Sequence, residues 1–288
     1  MHQIMKFAKR AGFGFLVSMF CLTVLSASVS AEIYLKFGTY TADKPTETVK
    51  KYRPFLMFLA NRMSAELGEP VDIQMVIAKE YETSIDQLAK GEVDFARFGP
   101  ASYIHATNQN PDVQIIAMES KNGQKTFKGI IAVHNDSNIQ ELSELAGLTF
   151  AFGDELSTIG RYLSQAQLLE AGITSDDLLS YDFLGRHDSV GLAVGAGKFT
   201  AGALKESTFK KLVSEGVPIR ALVKFDNVTK PWLAAATLEP RIFAAMQKVM
   251  LASENEEIVR RVAKNGFLLG ADADYQEIRR AMKRSADF

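Results

Sequence analysis

Apolar residues along this chain recur alternately at strand spacing and at helix spacing, with short polar connections in between. The stretch Glu47–Leu67 predicts an amphipathic helix, because its apolar residues fall on one stripe. These residues are Val49, Tyr52, Phe55, Leu56, Leu59 and Met63. The apolar runs Ile33–Gly38 and Val71–Ile77 flank this helix and predict strands. Regular alternation of strands and helices is typical of an α/β protein with mainly parallel sheets.

The same pattern continues in two runs of similar size, separated by a turn-rich break at 135–138. In the first run the pattern predicts strands Val93–Phe98, Val113–Met118 and Phe127–His134, and helices Tyr81–Lys90 and one that begins at Gly99-Pro100. In the second run it predicts strands Leu148–Phe152, Ser180–Phe183, Phe199–Leu204 and Ile219–Val223. The helices between them are Thr158–Ala171, Asp188–Gly195 and Glu206–Glu215. An extended run, Trp232–Thr237, precedes helices from Glu239 onward. Two successive α/β units predict two lobes around a cleft.

The first 31 residues have the pattern of a secretory signal peptide. A basic start is followed by an apolar run and then by small residues that end at Ala31. The run holds about 14 apolar residues, fewer than the ~20 that span a bilayer. We expect cleavage after Ala31 and export to the periplasm. Cys21 lies inside the apolar run behind Phe20, and the absence of small residues before it disfavours a lipid anchor.

Charge and composition exclude several functions. Of 33 basic and 34 acidic residues, three basic ones precede Glu32, so the remaining chain carries a formal charge of −4. No basic excess is present to follow a phosphate backbone, so we expect no nucleic-acid partner. A single Cys forms neither an internal disulfide nor a Cys-based zinc site. The histidines after residue 31 are not at metal-ligand spacing, so we expect no metal and no cofactor.

Three junctions between a strand and a helix are candidates for an anion site. They are 98–103, 152–160 and 185–189. Each places Ser, Thr or Asp at a helix start, where backbone N–H groups and the helix dipole favour negative charge. A single such junction is more typical of an ordinary helix cap. Three in one chain, the third with His187, favour an anion site. Ligands of open α/β sheets bind at such strand ends.

The order and spacing of these motifs resemble the phosphonate/phosphite/phosphate periplasmic solute-binding proteins of ABC importers. The resemblance rests on Phe152-Gly153-Asp154-x-x-Ser157-Thr158-x-Gly160, on Gly185-x-His187 about 25 residues later, and on Asp94-Phe95-Ala96-Arg97-Phe98-Gly99-Pro100-Ala101-Ser102-Tyr103. It implies a type II periplasmic binding protein fold with a hinge between two lobes. We expect residues 32–134 plus about 231–288 in lobe 1 and 135–230 in lobe 2.

By this resemblance, the protein binds a small oxyanion between its lobes, delivers it to an inner-membrane ABC permease and catalyses no reaction. Ser157 and Thr158 would donate hydroxyl and backbone hydrogen bonds to the ligand, the Ile159 backbone would add an N–H, and His187 an imidazole N–H. Tyr81 matches a tyrosine that contacts the ligand in the family. Further candidates for ligand contact are Phe98, Ser102, Glu206 and Lys230. We expect a monomer.

Several positions depart from the family pattern. Ile159 stands where a Ser is usual, Phe98 where some members have a ligand-contacting Tyr, and Lys230 near an acid that holds the ammonium of aminoalkyl ligands. A Lys there would repel an ammonium and attract an anion. We therefore expect either a tetrahedral oxyanion without an amine or an alkyl phosphonate with an apolar or anionic tail.

Two further expectations concern function. His187 would bind an anion best when protonated, so affinity should weaken as pH rises. An alternative function is a periplasmic ligand sensor of the same fold that signals to a membrane receptor. A hydrolase built on Ser157, His187 and Asp154 is disfavoured, because no G-x-S-x-G nucleophile elbow is present.

Overall fold

Two β-sheets with helices packed against them form the framework of the chain in a computed structural model, which describes residues 32–288. The expected signal peptide, its cleavage site and Cys21 lie outside the described residues. Within residues 32–288 no helix combines the length and the apolar character needed to cross a membrane.

The first sheet has six strands in the order β11-β4-β10-β3-β1-β2. Their bounds are β1 Ile33–Tyr40, β2 Val71–Ala78, β3 Phe95–Arg97, β4 Gln114–Glu119, β10 Pro231–Ala234 and β11 Phe267–Leu268. Strand β1 pairs in parallel with β2 and β3, whereas β10 runs antiparallel to β3 and β4.

The second sheet has five strands in the order β7-β6-β8-β5-β9. Their bounds are β5 Thr126–His134, β6 Thr149–Phe152, β7 Ser180–Phe183, β8 Ala201–Lys205 and β9 Ile219–Val228. Strand β6 pairs in parallel with β7 and β8, and β5 pairs antiparallel with β8 and β9.

Nine α-helices in residues 32–288 connect and cover these strands. They are α1 Pro45–Leu67, α2 Tyr81–Ala89, α3 Pro100–Gln109, α4 Ser164–Glu170, α5 His187–Gly195, α6 Glu206–Ser214, α7 Pro240–Leu251, α8 Glu257–Arg260 and α9 Gln276–Arg284. A six-residue π-helix, Thr158–Leu163, leads directly into α4. Together these two match the helix predicted for Thr158–Ala171.

The predicted α/β class is confirmed, but both sheets are mixed rather than mainly parallel. The chain crosses between the sheets after β4 and again after β9, and the crossing segments are bonded to each other from Thr229 N–H to Lys125 O at 2.8 Å. Strands that arrive from the other sheet enter in the opposite direction, which makes the pairs of β5 and β10 antiparallel.

The expected lobe boundary at residue 134 needs correction, because β5 belongs to the second sheet. Its register with β9 runs from Thr126 to His134, with one shift at Ile131/Ala132, so the pairing holds the whole strand there. The predicted strand Ile219–Val223 is correspondingly too short. At the other end of the chain, the ring of Phe288 packs against Phe152 in the second lobe, with centroids 5.6 Å apart.

Trp232 is the centre of the largest aromatic cluster in the first lobe. It is fully buried in β10, stacks on Phe37 at 5.1 Å and meets Phe55 and Phe267 edge-on. The cluster joins α1 to the first sheet and therefore fixes the helix whose start borders the cleft.

Replacing Trp232 by Ala should lower the free energy of unfolding by about 3–5 kcal/mol, because it leaves a large cavity in a closed core. Urea unfolding followed by circular dichroism measures this loss. Met57→Ala is the control, since the Met57 side chain is 61% exposed and such surface changes stay within about 0.5 kcal/mol. Equal effects of the two substitutions would contradict the assigned core.

Candidate functional site

A narrow chamber of about 30 Å³ lies between the two lobes, at the ends of the central strands. It holds about two water molecules, at ~10–15 Å³ each on this measure, so a tetrahedral oxyanion fits only if its walls separate slightly. The lining residues are Tyr40, Ala42, Tyr81, Arg97, Gly99, Pro100, Phe127, Ser157, Thr158, Ile159, His187, Lys205, Asn227 and Lys230.

A close backbone approach builds the helix start at this chamber. Gly153 N–H donates to the Gly160 carbonyl at 2.8 Å, and a Cβ on Gly160 would lie 2.8 Å from Gly153 Cα, so a side chain fits at neither position without a shift. Ser157 caps the helix by accepting from Gly160 N–H at 3.0 Å. The first N–H groups of a helix lack partners inside it, and here they belong to residues that line the chamber. A short π-helix such as Thr158–Leu163 is frequent at functional sites.

Tyr40 forms one wall of the chamber and was not singled out by the sequence. Its ring stacks on Tyr81 with centroids 3.6 Å apart, and its hydroxyl accepts from Gly99 N–H at 2.7 Å. The same hydroxyl is hydrogen-bonded to Ser102 Oγ at 2.9 Å. Burial raises the pKa of Tyr40 to about 12, so the hydroxyl keeps its proton at neutral pH.

Two of the expected ligand contacts lie behind this wall instead. Phe98 is fully buried, does not line the chamber and stacks on Tyr40 with ring centroids 5.4 Å apart. Ser102 is also fully buried and reaches only the Tyr40 hydroxyl. These positions correct the expectation of direct contact: both residues orient Tyr40.

His187 is buried and neutral. Its side chain is 5% exposed, and its Nδ1 has no hydrogen-bond partner among the described residues. Burial, helped by the positive charge of Lys205, lowers its pKa to about 3, and Asp43 opposes this only in part. With this pKa the ring is already neutral between pH 6 and 8, so the folded protein offers no protonated imidazole to support the expected weakening of affinity as pH rises. Asn227 Oδ1, in the same chamber, is likewise buried without a partner in the described chain.

Cationic side chains enclose the chamber on the side of the crossing segments. Lys230 Nζ lies 4.3 Å from the centroid of the Phe127 ring, and Arg97 forms a paired contact with Glu119 at 2.7 and 3.0 Å. Arg97 and Lys51 hold the pKa of the buried Glu119 carboxyl at about 2, although its burial acts in the opposite direction. Removal from water lowers the pKa of Lys230 well below its usual range, and Arg97 adds to this.

Glu206, another candidate for ligand contact, does not line the chamber. Its carboxylate pairs with Lys210 at 2.8 Å and with Lys121 at 2.9 Å, and these contacts lower its pKa to about 2. Because Lys121 follows a strand of the first sheet, Glu206 connects the two lobes. Its ion pairs with Lys121 and Lys210 therefore have a structural role in this arrangement.

Several other contacts join the lobes around the chamber. Ala101 N–H donates to Thr158 Oγ1 at 2.8 Å, and His187 N–H donates to the Ala42 carbonyl at 3.1 Å. Asp43 pairs with Lys205 and accepts from Thr208 Oγ1 at 2.8 Å. The pKa of Asp43 is lowered to about 2: its burial acts in the opposite direction but is outweighed by Lys205 and by weaker partners. The structure is therefore a closed form in which loops of both lobes meet.

The structure places five of the predicted residues together at the chamber: Tyr81, Ser157, Thr158, Ile159 and His187, with Lys230 beside them. It adds Tyr40, Arg97 and Lys205, each the last residue of a strand. The sequence pattern ends the same strands one or two residues away, at Gly38, Phe98 and Leu204, so it does not single out these three. Residues 32–288 contain no group of three or more His, Cys, Asp or Glu side chains arranged to hold a metal ion.

Two lobes that close over a chamber of hydrogen-bond donors and cations define a protein that captures a small anionic solute. A family model described as "ABC transporter, phosphonate, periplasmic substrate-binding protein" matches residues 37–275. The chain therefore belongs to the family of periplasmic substrate-binding proteins of phosphonate ABC transporters. This is a family of transport components and not of enzymes.

The chain is also similar to individual proteins of known name. It is 29% identical over 196 residues to a probable ABC transporter phosphite-binding protein from Prochlorococcus marinus, a match that covers 63% of this chain and 65% of that relative. It is 23% identical over 270 residues to a phosphate-import protein from Mycolicibacterium smegmatis, covering 83% of this chain and 81% of the relative.

Solved structures share the fold. The methylphosphonate complex of the Prochlorococcus marinus protein superposes with a TM-score of 0.77 at 22% identity, over 88% of this chain and 99% of that one. A binding protein of an ABC phosphonate transporter from Pseudomonas aeruginosa superposes with a TM-score of 0.76 at 15% identity, over 89% and 88% of the two chains. The predicted two-lobed type II fold is confirmed.

The neutral state of His187 predicts a specific loss of stability in acid. Between the folded pKa of about 3 and the unfolded value near 6.5, only the unfolded chain takes up the proton, so this stability is present above pH 6.5 and is lost as pH falls. Between pH 7.5 and 5, the wild type should lose about 2 kcal/mol more than His187→Gln. Urea unfolding at the two pH values measures this, and equal losses would contradict a neutral, buried ring.

Proposed function

We propose that the protein binds a phosphorus oxyanion in the chamber between its lobes and delivers it to an inner-membrane ABC permease. The observation that carries this proposal is the pair of buried polar atoms without partners, His187 Nδ1 and Asn227 Oδ1, in a chamber that also holds a helix start and two lysines. A buried polar atom without a hydrogen bond is costly. Asn227 Oδ1 only accepts hydrogen bonds, so it needs a protonated oxygen of the ligand (P–OH) as its donor. His187 Nδ1 can accept from such a group or donate to a deprotonated ligand oxygen, depending on the ring tautomer. A singly protonated oxyanion that reaches both atoms would therefore remove that cost.

Ser157, Thr158 and the backbone of Ile159 would hold the oxyanion from the second lobe. Tyr81 would contact it from the first lobe through its hydroxyl, because one face of its ring is covered by Tyr40. Lys205 and Lys230 balance the negative charge of the ligand. A neutral His187 either donates from one tautomer or accepts from a protonated ligand oxygen in the other. The relatives named for phosphite and phosphate, and the relative solved with methylphosphonate, support this ligand class.

The route of the chain supports a clamp in which the two lobes open about the crossing segments at 120–125 and 229–230. The contacts from Asp43 and Ala101 to the other lobe would then break on opening and form again on closure, whereas the Glu206–Lys121 pair lies at the hinge. We further propose that residues 1–31 direct export and are removed, and that the protein acts as a monomer in the periplasm. These proposals keep the expectations drawn from the sequence. The one change is that the first lobe ends before β5, which pairs in the second sheet.

Isothermal titration of the purified protein with phosphite, phosphate, methylphosphonate and sulfate tests the proposal. At least one phosphorus oxyanion should bind with micromolar affinity or better, which requires about 8 kcal/mol. Ser157→Ala should weaken that binding about 10- to 100-fold, because it removes a hydrogen bond to a charged group.

The control is Ser143→Ala, which removes an exposed hydroxyl from a short helix of the second lobe and should leave the affinity unchanged. Two results would overturn the proposal: no saturable binding of any phosphorus oxyanion, or equal affinities for wild type and Ser157→Ala.

A further inference from the structure

A second, wider cavity adjoins the chamber. It has a volume of about 490 Å³, within the range of organic-ligand sites. Tyr40, Ala42, Arg97, Lys205 and Lys230 line both spaces, so the two are neighbours with a shared wall. A bare tetrahedral oxyanion has no group that could extend into the wider space.

The lining of the wider cavity carries a surplus of positive charge. Eight basic and four acidic side chains contribute to it. Each of the four acids is within 4.0 Å of a cation, as Asp43 is of Lys205 and Glu47 of Lys211. Five of the basic side chains have no carboxylate within that distance in residues 32–288. They are Lys44, Lys50, Lys51, Lys230 and Arg261.

Lys51 and Lys230 are the two of these five that are half-buried and surrounded by further cations. Lys51 extends from α1 with its Nζ 5.2 Å from the Tyr52 ring, and Arg97 lies 5.7 Å from the same ring. Removal from water, together with Arg97 and Lys205, lowers the pKa of Lys51 to about 7. Partly buried ammonium groups of like charge are stabilised by an anion placed between them. Glu119 and Asp43 oppose the shift of the Lys51 pKa in part, but they are paired with Arg97 and Lys205 and neither lies within 4.0 Å of Lys51.

We propose that the wider cavity is a subsite for a second anionic group, and that the ligand is a phosphorus oxyanion whose carbon chain ends in a carboxylate or a similar acid. The head would occupy the chamber, and the tail would pass Lys230 to reach Lys51. This proposal rests on the proposed function for the head group. Of the ligands that the sequence left open, the proposal favours the phosphonate with an anionic tail over one with an apolar tail and over the bare oxyanion.

The test compares ligands with the same head and the same chain length. Isothermal titration of the purified protein would use ethylphosphonate against phosphonoacetate, and propylphosphonate against 3-phosphonopropionate, with 2-aminoethylphosphonate as the cationic counterpart. The better of the two acids should bind at least 10-fold tighter than its alkyl partner. The amine should bind more weakly than either ethylphosphonate or phosphonoacetate.

Lys51→Gln tests the assignment of the subsite. It should reduce the preference for the acid at least 3-fold while alkylphosphonate affinity stays within 2-fold, because Lys51 does not line the chamber. Lys198→Gln, an exposed lysine that lines neither cavity, is the matched control and should keep the preference. Lys51→Met provides a second charge-removing variant if the first does not fold.

The outcomes separate this inference from the proposed function. If no phosphonate binds, both fail. If alkylphosphonates bind but the acids gain nothing, or the amine binds best, only the subsite is overturned. A preference for the acid that survives both Lys51 substitutions overturns the role of Lys51.

Discussion

The direction of the parallel strands determines where every functional group of this protein lies. Carboxyl ends of β1, β3, β6 and β8 all point at the cleft, and the antiparallel strands β5 and β10 begin there. Side chains at these ends therefore meet, although they are far apart in the sequence. Helix starts follow the same ends, which brings unpaired N–H groups to the same place. The site is a consequence of how the sheets are connected.

Buried positive charge is the second feature that explains the cleft. Arg97 is satisfied by Glu119, and Lys205 by Asp43. Lys230 lies over the Phe127 ring, and an aromatic face stabilises a cation electrostatically much less than a carboxylate does. The closed lobes therefore exclude water from charges that their own residues do not balance. An anionic solute supplies the balance, so closure and solute binding favour each other.

The sequence was a good guide to the elements and to the helix start at Ser157, because apolar spacing and capping residues are local signals. It was a poor guide to β5, whose place in the second sheet depends on pairing with β9, some 90 residues away. Phe98 was misplaced because motif position does not tell which side of a strand faces the cleft. The charge on His187 could not be foreseen either, since its pKa depends on burial and on Lys205, which the chain order does not place beside it. Tyr40 has no local motif, and only its position at a strand end marks it.

The two spaces differ in size, and in the proposed site the narrow chamber would recognise the head group and the wider cavity the tail. In the narrow chamber each wall atom has a fixed position: Gly99, Gly153 and Gly160 permit close approach, and Tyr40 is held by Gly99 and Ser102. Such a wall discriminates by hydrogen-bond geometry and tolerates little change in the head group. In the proposed tail subsite, long lysine side chains would adapt to tails of different length and would select them by charge. A change of one residue there, such as a Lys in place of an acid at position 230, can alter the class of solute while the head-group site stays intact.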